Sequence, residues 1–96
     1  MIIEGFIWLP EIVDKLENKH SVSIFEVESL IERKALFRKI ENGRIRGENL
    51  YRALGQTLSG RYLAVFFIYK MTREALVISA RDMSEQERKF YAKRKK

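Results

Sequence analysis

Leu63-Ala64-Val65-Phe66-Phe67-Ile68-Tyr69 is the longest apolar stretch of the chain, and it leaves few options for the fold. It is far shorter than the roughly 20 residues that a helix needs to cross a bilayer. With its β-branched and aromatic content it reads as a strand from Arg61 to Tyr69. Leu63, Val65 and Phe67 fall on one face and Ala64, Phe66 and Ile68 on the other. Apolar residues on both faces mark a central strand covered on both sides.

The neighbouring segments supply a sheet around it. Asn49 to Thr57 places Leu50 and Leu54 on one face and Tyr51 and Ala53 on the other, and Ser59-Gly60 makes a tight connection that closes a hairpin. Ala75 to Arg81 reads as the next strand, reached through Met71 to Glu74. Ala35 to Glu41 interleaves Leu36 and Ile40 with Arg38 and Lys39 and leads toward a turn at Asn42-Gly43. Ile2 to Trp8, rich in β-formers, is a further strand.

Helical spacing appears in three places. Pro10 suits a first helical turn, and Ile12, Val13 and Leu16 then form an apolar stripe opposite Asp14, Lys15, Glu17 and Lys19, giving a short helix from Pro10 to Asn18. Ser21 or Ser23 can cap a second helix that buries Phe25, Val27, Leu30 and Ile31 and ends near Glu32. Ser84-Glu85-Gln86-Glu87 has the form of a capping box and opens a basic helix running to the end of the chain. The order is strand, two helices, three or four strands and a helix, which defines an α+β class with an antiparallel sheet. At 96 residues it is expected to be one domain spanning 1–96.

Charge sharpens the reading. Residues 1–31 hold two basic and six acidic side chains, whereas residues 32–96 hold 17 and seven, so the net +6 is concentrated in the second part. A basic surface on a small domain points to a polyanion such as RNA or DNA, or to an acidic protein. With no cysteine and a single histidine, His20, neither thiolate nor multi-histidine metal sites can be assembled, and no metal or cofactor is expected. No basic opening leads into an apolar run with a cleavage site, so a cytoplasmic protein that does not engage membranes is expected.

What remains for chemistry is Arg, Lys, Tyr, Glu and His20. Such a set suits RNA cleavage, in which the substrate supplies its own 2′-OH nucleophile and the protein adds a base, an acid and cations. Arg81, emerging where the Leu76-Val77-Ile78-Ser79-Ala80 strand ends, is either a phosphate ligand or the partner of Glu85 or Glu87. Arg52 and Arg61 lie on adjacent strands, and alternation can bring either onto the face of Arg81. Arg88 and Tyr91 share a helix face, with Tyr91 open to packing or to proton transfer, and Phe90 is expected to point inward. His20 can transfer protons or serve a helix end, Lys19 can contact phosphate, and Trp8 can stack on a base or pack the first helix onto the sheet.

The run Trp8, Asn18-Lys19-His20, Val22-Ser23 and Phe25-Glu26 resembles the opening of BrnT-type toxins. Gly47-Glu48, Gly55, Gly60-Arg61, Leu63, Val65, Ile78-Ser79-Ala80-Arg81 and Glu87-Arg88 to Tyr91 resemble the rest of that family in the same order. Leu9 stands where Asp commonly follows the Trp, and Ser21 stands where Gly follows Lys-His. Leu50 occupies the place of an Arg, with Arg52 two residues on. The resemblance implies a RelE-like fold, metal-independent cleavage of RNA such as mRNA, on or off the ribosome, and a cognate antitoxin. It implies a site in which Arg61 and Arg81 bind the scissile phosphate and His20, Glu87 or Tyr91 transfers protons, while Trp8, Lys19, Arg52 and Arg88 contact RNA. The competing expectation is a non-catalytic module that holds RNA or an acidic partner on its basic face.

Overall fold

The capping and turn chemistry of the first third produces two short helices in the computed structural model, which describes residues 1–94. After a strand β1 (Gly5–Ile7), helix α1 (Pro10–Lys19) starts at the proline, whose missing N–H costs nothing at that position. Ser23, not Ser21, caps α2 (Ile24–Glu32): its hydroxyl accepts from the Glu26 N–H at 3.1 Å, while the Ser23 N–H donates to Oε1 of Glu26 at 2.9 Å. Ser21 sits instead in the left-handed region with φ 52°. Four strands follow, β2 (Leu36–Glu41), β3 (Leu50–Gln56), β4 (Tyr62–Tyr69) and β5 (Glu74–Asp82), and the helix α3 (Glu85–Arg94) closes the described chain. Lys95 and Lys96, part of the expected basic helix, lie outside the described residues.

The five strands form one sheet in the order β1-β5-β4-β3-β2, with the apolar β4 at its centre as its two-faced pattern demands. The pairs β2–β3, β3–β4 and β4–β5 are antiparallel. β1 departs from the expected antiparallel arrangement by running parallel to β5, because the two helices carry the chain across the sheet before the meander begins. It is also shorter than Ile2 to Trp8. On one face α1 and α2 bury Leu16, Val27, Leu30 and Ile31 against Ala53, Leu63, Val65, Phe67, Val77 and Ala80. On the other face α3 and the segment before it bring Met83 and Tyr91 onto Leu54 and Ala64.

Two expectations fail for geometric reasons. Phe25 is 67% exposed, because Val27, Leu30 and Ile31 define the inner face of α2 and a residue two before Val27 points away from it. Asn42-Gly43 does not make a tight hairpin: Glu41 pairs with Leu50, leaving 42–49 as a loop. Gly43 serves a close approach, since a Cβ there would stand 1.8 Å from the Glu48 carbonyl oxygen.

One irregularity decides where the site lies. Phe66 pairs with Ser79 but Phe67 pairs with Val77, so Ile78 is an extra residue in β5. Strict alternation from Val77 would send Arg81 into the α1/α2 layer. The bulge inverts the phase, keeping Val77 and Ala80 in that core while Ser79 and Arg81 emerge on the α3 face.

Candidate active site

Arg52 on β3 faces Phe66 on β4, and two residues along β4 Ala64 faces Arg81 on β5. The two arginines therefore flank the central strand on its α3 side. Both guanidiniums turn toward one carboxylate, that of Glu87 in the first turn of α3. Arg81 grips it with two parallel bonds, Nη1 to Oε1 at 2.7 Å and Nη2 to Oε2 at 3.0 Å. Arg52 Nη1 lies 3.6 Å from Oε2. Glu87 also completes the capping box foreseen in the sequence, since the Ser84 N–H donates to Oε1 at 2.8 Å and the Glu87 N–H donates to the Ser84 hydroxyl at 3.2 Å. The sequence offered Glu85 or Glu87 as partner of Arg81; the helix phase selects Glu87.

Burial pushes the Glu87 carboxyl up, but the Arg81 and Ser84 hydrogen bonds and the charges of Arg81 and Arg52 outweigh it and hold it below the usual glutamate range. The same hydrogen bond raises Arg81 above the ordinary arginine value. Phe66 lies under the Arg81 guanidinium at 5.2 Å from its ring centroid. Arg52 is only 17% exposed, and among the described residues its Nε is a buried donor without a hydrogen-bond acceptor. The arrangement is a pair of cations, pre-oriented by one ionised carboxylate held below its usual range, on the α3 face of the sheet.

Of the nine residues singled out in the sequence, Arg52, Arg81 and Glu87 converge here. Tyr91 is buried farther along α3, edge-on to Tyr62 at 6.0 Å, and Arg88 stacks over the same Tyr62 ring at 3.8 Å. Phe90 packs inward as expected, half-buried against the Leu54, Ala64, Met83 and Tyr91 cluster. The other four belong to the α1/α2 layer. The Trp8 indole N–H donates to Glu28 Oε2 at 2.8 Å, and Lys19 lies in the last turn of α1. His20 caps the C-terminus of α1. Arg61 spends its donors on a clasp: Nε to Asp82 at 2.8 Å, Nη1 to the Ser21 carbonyl and Nη2 to the His20 carbonyl, both at 2.6 Å. The structure thus does not bring Arg61 or His20 to Arg81. Sequence reasoning missed Arg38, which lies directly opposite Arg52. The interleaving of bases with Leu36 and Ile40 in that strand was its only signal.

Among the described residues no cluster of three or more His, Cys, Asp or Glu is placed to hold a metal ion, and no helix is long and apolar enough to cross a membrane. A basic α+β domain with two strand-borne arginines and a helix-borne carboxylate on one sheet face is equipped to handle phosphate esters. The chain belongs to the BrnT family, the ribonuclease toxin of type II toxin–antitoxin systems, whose family model matches residues 8–87. Membership makes it a ribonuclease toxin with an antitoxin as partner. Comparison with curated proteins returns no match.

Proposed function

We propose that the protein cleaves RNA without a metal ion, at the site where Arg52 and Arg81 share Glu87. That sharing is the observation carrying the reading: the carboxylate occupies, between two guanidinium forks, the place a scissile phosphate takes in the complex. RNA displaces Glu87 from Arg81, because a phosphodiester offers the fork two oxygens in the same spacing. The released carboxylate then accepts the proton of the 2′-OH, whose oxygen attacks phosphorus. The bond to the 5′-oxygen breaks, that oxygen takes a proton from water while Glu87 returns its proton to solvent, and the products are a 2′,3′-cyclic phosphate and a 5′-OH end. Arg52 and Arg81 stabilise the charge that builds on the phosphoryl oxygens. Arg52 stands two residues from Leu50 on the same strand face and supplies the cation that the family carries at the Leu50 position. His20, Tyr91 and Arg61 have no part in these steps. Cleavage of mRNA in the cytoplasm, relieved by the antitoxin, arrests growth.

Incubation of single-stranded RNA with the purified protein in EDTA tests the proposal. The expected result is cleavage to cyclic-phosphate ends, with Arg81→Ala slower by a factor of about 10²–10³, the cost of losing one preorganised charge-stabilising donor. RNA that stays intact with the wild-type protein, or needs a divalent ion, refutes it. Tight RNA binding without cleavage would instead identify a binding module.

A further inference from the structure

We infer that a groove beside the reaction centre, lined by Arg38, Arg52, Phe90 and Arg94, is a second RNA subsite that holds the phosphate and base next to the scissile one. The inference rests on the reading of Arg81 and Glu87 as a ribonuclease centre. Two of the four residues, Phe90 and Arg94, lie beyond the family-matched span 8–87.

The groove has a volume of about 650 Å³ and runs between β2 and the C-terminal half of α3. Its electrostatics are unbalanced among the described residues. Arg38 and Arg52 face each other in the β2–β3 register, a juxtaposition of like charges that destabilises a sheet unless something offsets it. Glu87 offsets Arg52 at 3.6 Å, and among the described residues no carboxylate forms an ion pair with Arg38 or Arg94. The buried Nε without an acceptor belongs to Arg52, one of the residues that line the groove. Three guanidiniums around one cavity, one with an unsatisfied buried donor, call for a bound anion.

Phe90 selects the kind of anion. Its half-buried ring packs on the α3-side cluster and carries the guanidiniums of Arg52 and Arg94 over it, at 5.9 Å and 5.1 Å from the centroid. Guanidinium planes stacked on an aromatic ring, with forks that match phosphate, offer a platform on which a base stacks while its backbone is held. A carboxylate-rich peptide would use the cations but not the planes on which a base can stack. Because Arg52 borders both places, a strand whose scissile phosphate lies on Arg81 continues directly into the groove.

The test uses Arg38→Gln/Arg94→Gln, two exposed positions outside the reaction centre, and a short fluorescent RNA carrying 2′-O-methyl groups so that it cannot be cleaved. The double variant is expected to bind this RNA about tenfold more weakly. The slope of log Kd against log salt should flatten by about 0.7 for each phosphate that the protein no longer neutralises. Phe90→Leu, which keeps an apolar side chain, is expected to weaken binding at least about fivefold without changing the salt slope. Cleavage of a dinucleotide, too short to reach the groove, should be unaffected by Arg38→Gln/Arg94→Gln. Unchanged oligonucleotide affinity and salt slope would overturn the subsite, and so would an equal loss on the dinucleotide. A variant that keeps RNA but loses an acidic polyglutamate peptide would reassign the groove to a protein partner. If the wild type cleaves nothing, the ribonuclease reading fails while the binding measurements still decide the groove.

Discussion

Replacing Glu87 by Gln separates stability, binding and cleavage in one molecule. Gln keeps the volume and can still serve the capping box, but it removes the only charge between two guanidiniums. Hydrogen bonds to charged partners contribute about 1.5–3 kcal/mol each. Arg81, 40% exposed, recovers much of its loss from water, whereas Arg52 at 17% does not. A net destabilisation of about 2 kcal/mol follows, and for a domain of this size it lowers Tm by roughly 8–16 °C at neutral pH. The effect must vanish in acid. The Glu87 carboxyl is held below its unfolded value, so its stabilisation is complete above about pH 4.3 and is lost as pH falls through the folded pKa. The melting temperatures of the two proteins should therefore draw together only as pH falls below the unfolded value and through the lowered folded pKa, and coincide below it. Without the internal competitor, Glu87→Gln should bind non-cleavable RNA about tenfold more tightly, a gain of about 1.4 kcal/mol. Cleavage should fall by about 10²–10⁴, the range for a lost general base. Thermal denaturation followed by circular dichroism, fluorescence anisotropy and a gel assay of RNA ends read the three effects. Equal melting temperatures at pH 7 would refute the shared ion pair, and wild-type cleavage by Glu87→Gln would refute the base.

Two further substitutions test the scaffold. Arg61→Ala opens the clasp on His20, Ser21 and Asp82 and should cost about 1–3 kcal/mol in urea denaturation. Its cleavage rate per folded molecule should stay within about twofold of wild type, and a loss comparable with that of Arg81→Ala would return Arg61 to the reaction centre. Gly55→Ala places a Cβ 2.7 Å from Cγ of the fully buried Leu30, an overpacking expected to destabilise by about 1–3 kcal/mol. A neutral denaturation midpoint would mean that α2 does not rest on β3 as closely as these distances require.

The legible parts of the chain were those governed by local chemistry. The two-faced apolar pattern from Leu63 to Tyr69 located the central strand, Pro10 the first helix, and Ser84 with Glu87 the start of the last. Phe25 misled because a nine-residue helix offers too few turns to fix the phase of its apolar stripe. The parallel pairing of β1 is a long-range event with no local signature. The site was half legible for the same reason. Arg81 and Glu87 lie six apart, and the sequence offers Glu87 as one of two candidate partners of Arg81, but the face of Arg81 depends on the bulge at Ile78, which alternation conceals. Arg61 looks equivalent to Arg52 in the sequence, both bordering the central hairpin, but its bonds to the His20 and Ser21 carbonyls place it on the α1/α2 side, away from Arg52 and Glu87.

The bonding of Glu87 explains how one residue can first restrain and then serve the arginines. Oε1 accepts from both Arg81 and the Ser84 backbone, whereas Oε2 accepts from Arg81 and faces Arg52. On the proposed mechanism, a phosphate that captures the Arg81 fork leaves the Ser84 N–H in place, so the displaced carboxylate swings off the fork while Oε1 stays tethered to Ser84 and Oε2 becomes free. Before RNA arrives, the two cations depress the carboxyl's affinity for protons and make it a weak base. Once the phosphate neutralises those cations, that depression is relieved and the same carboxylate becomes a stronger base at the moment a 2′-OH stands beside it. The low starting pKa is thus compatible with general-base catalysis, because the charges that cause it are those the substrate removes.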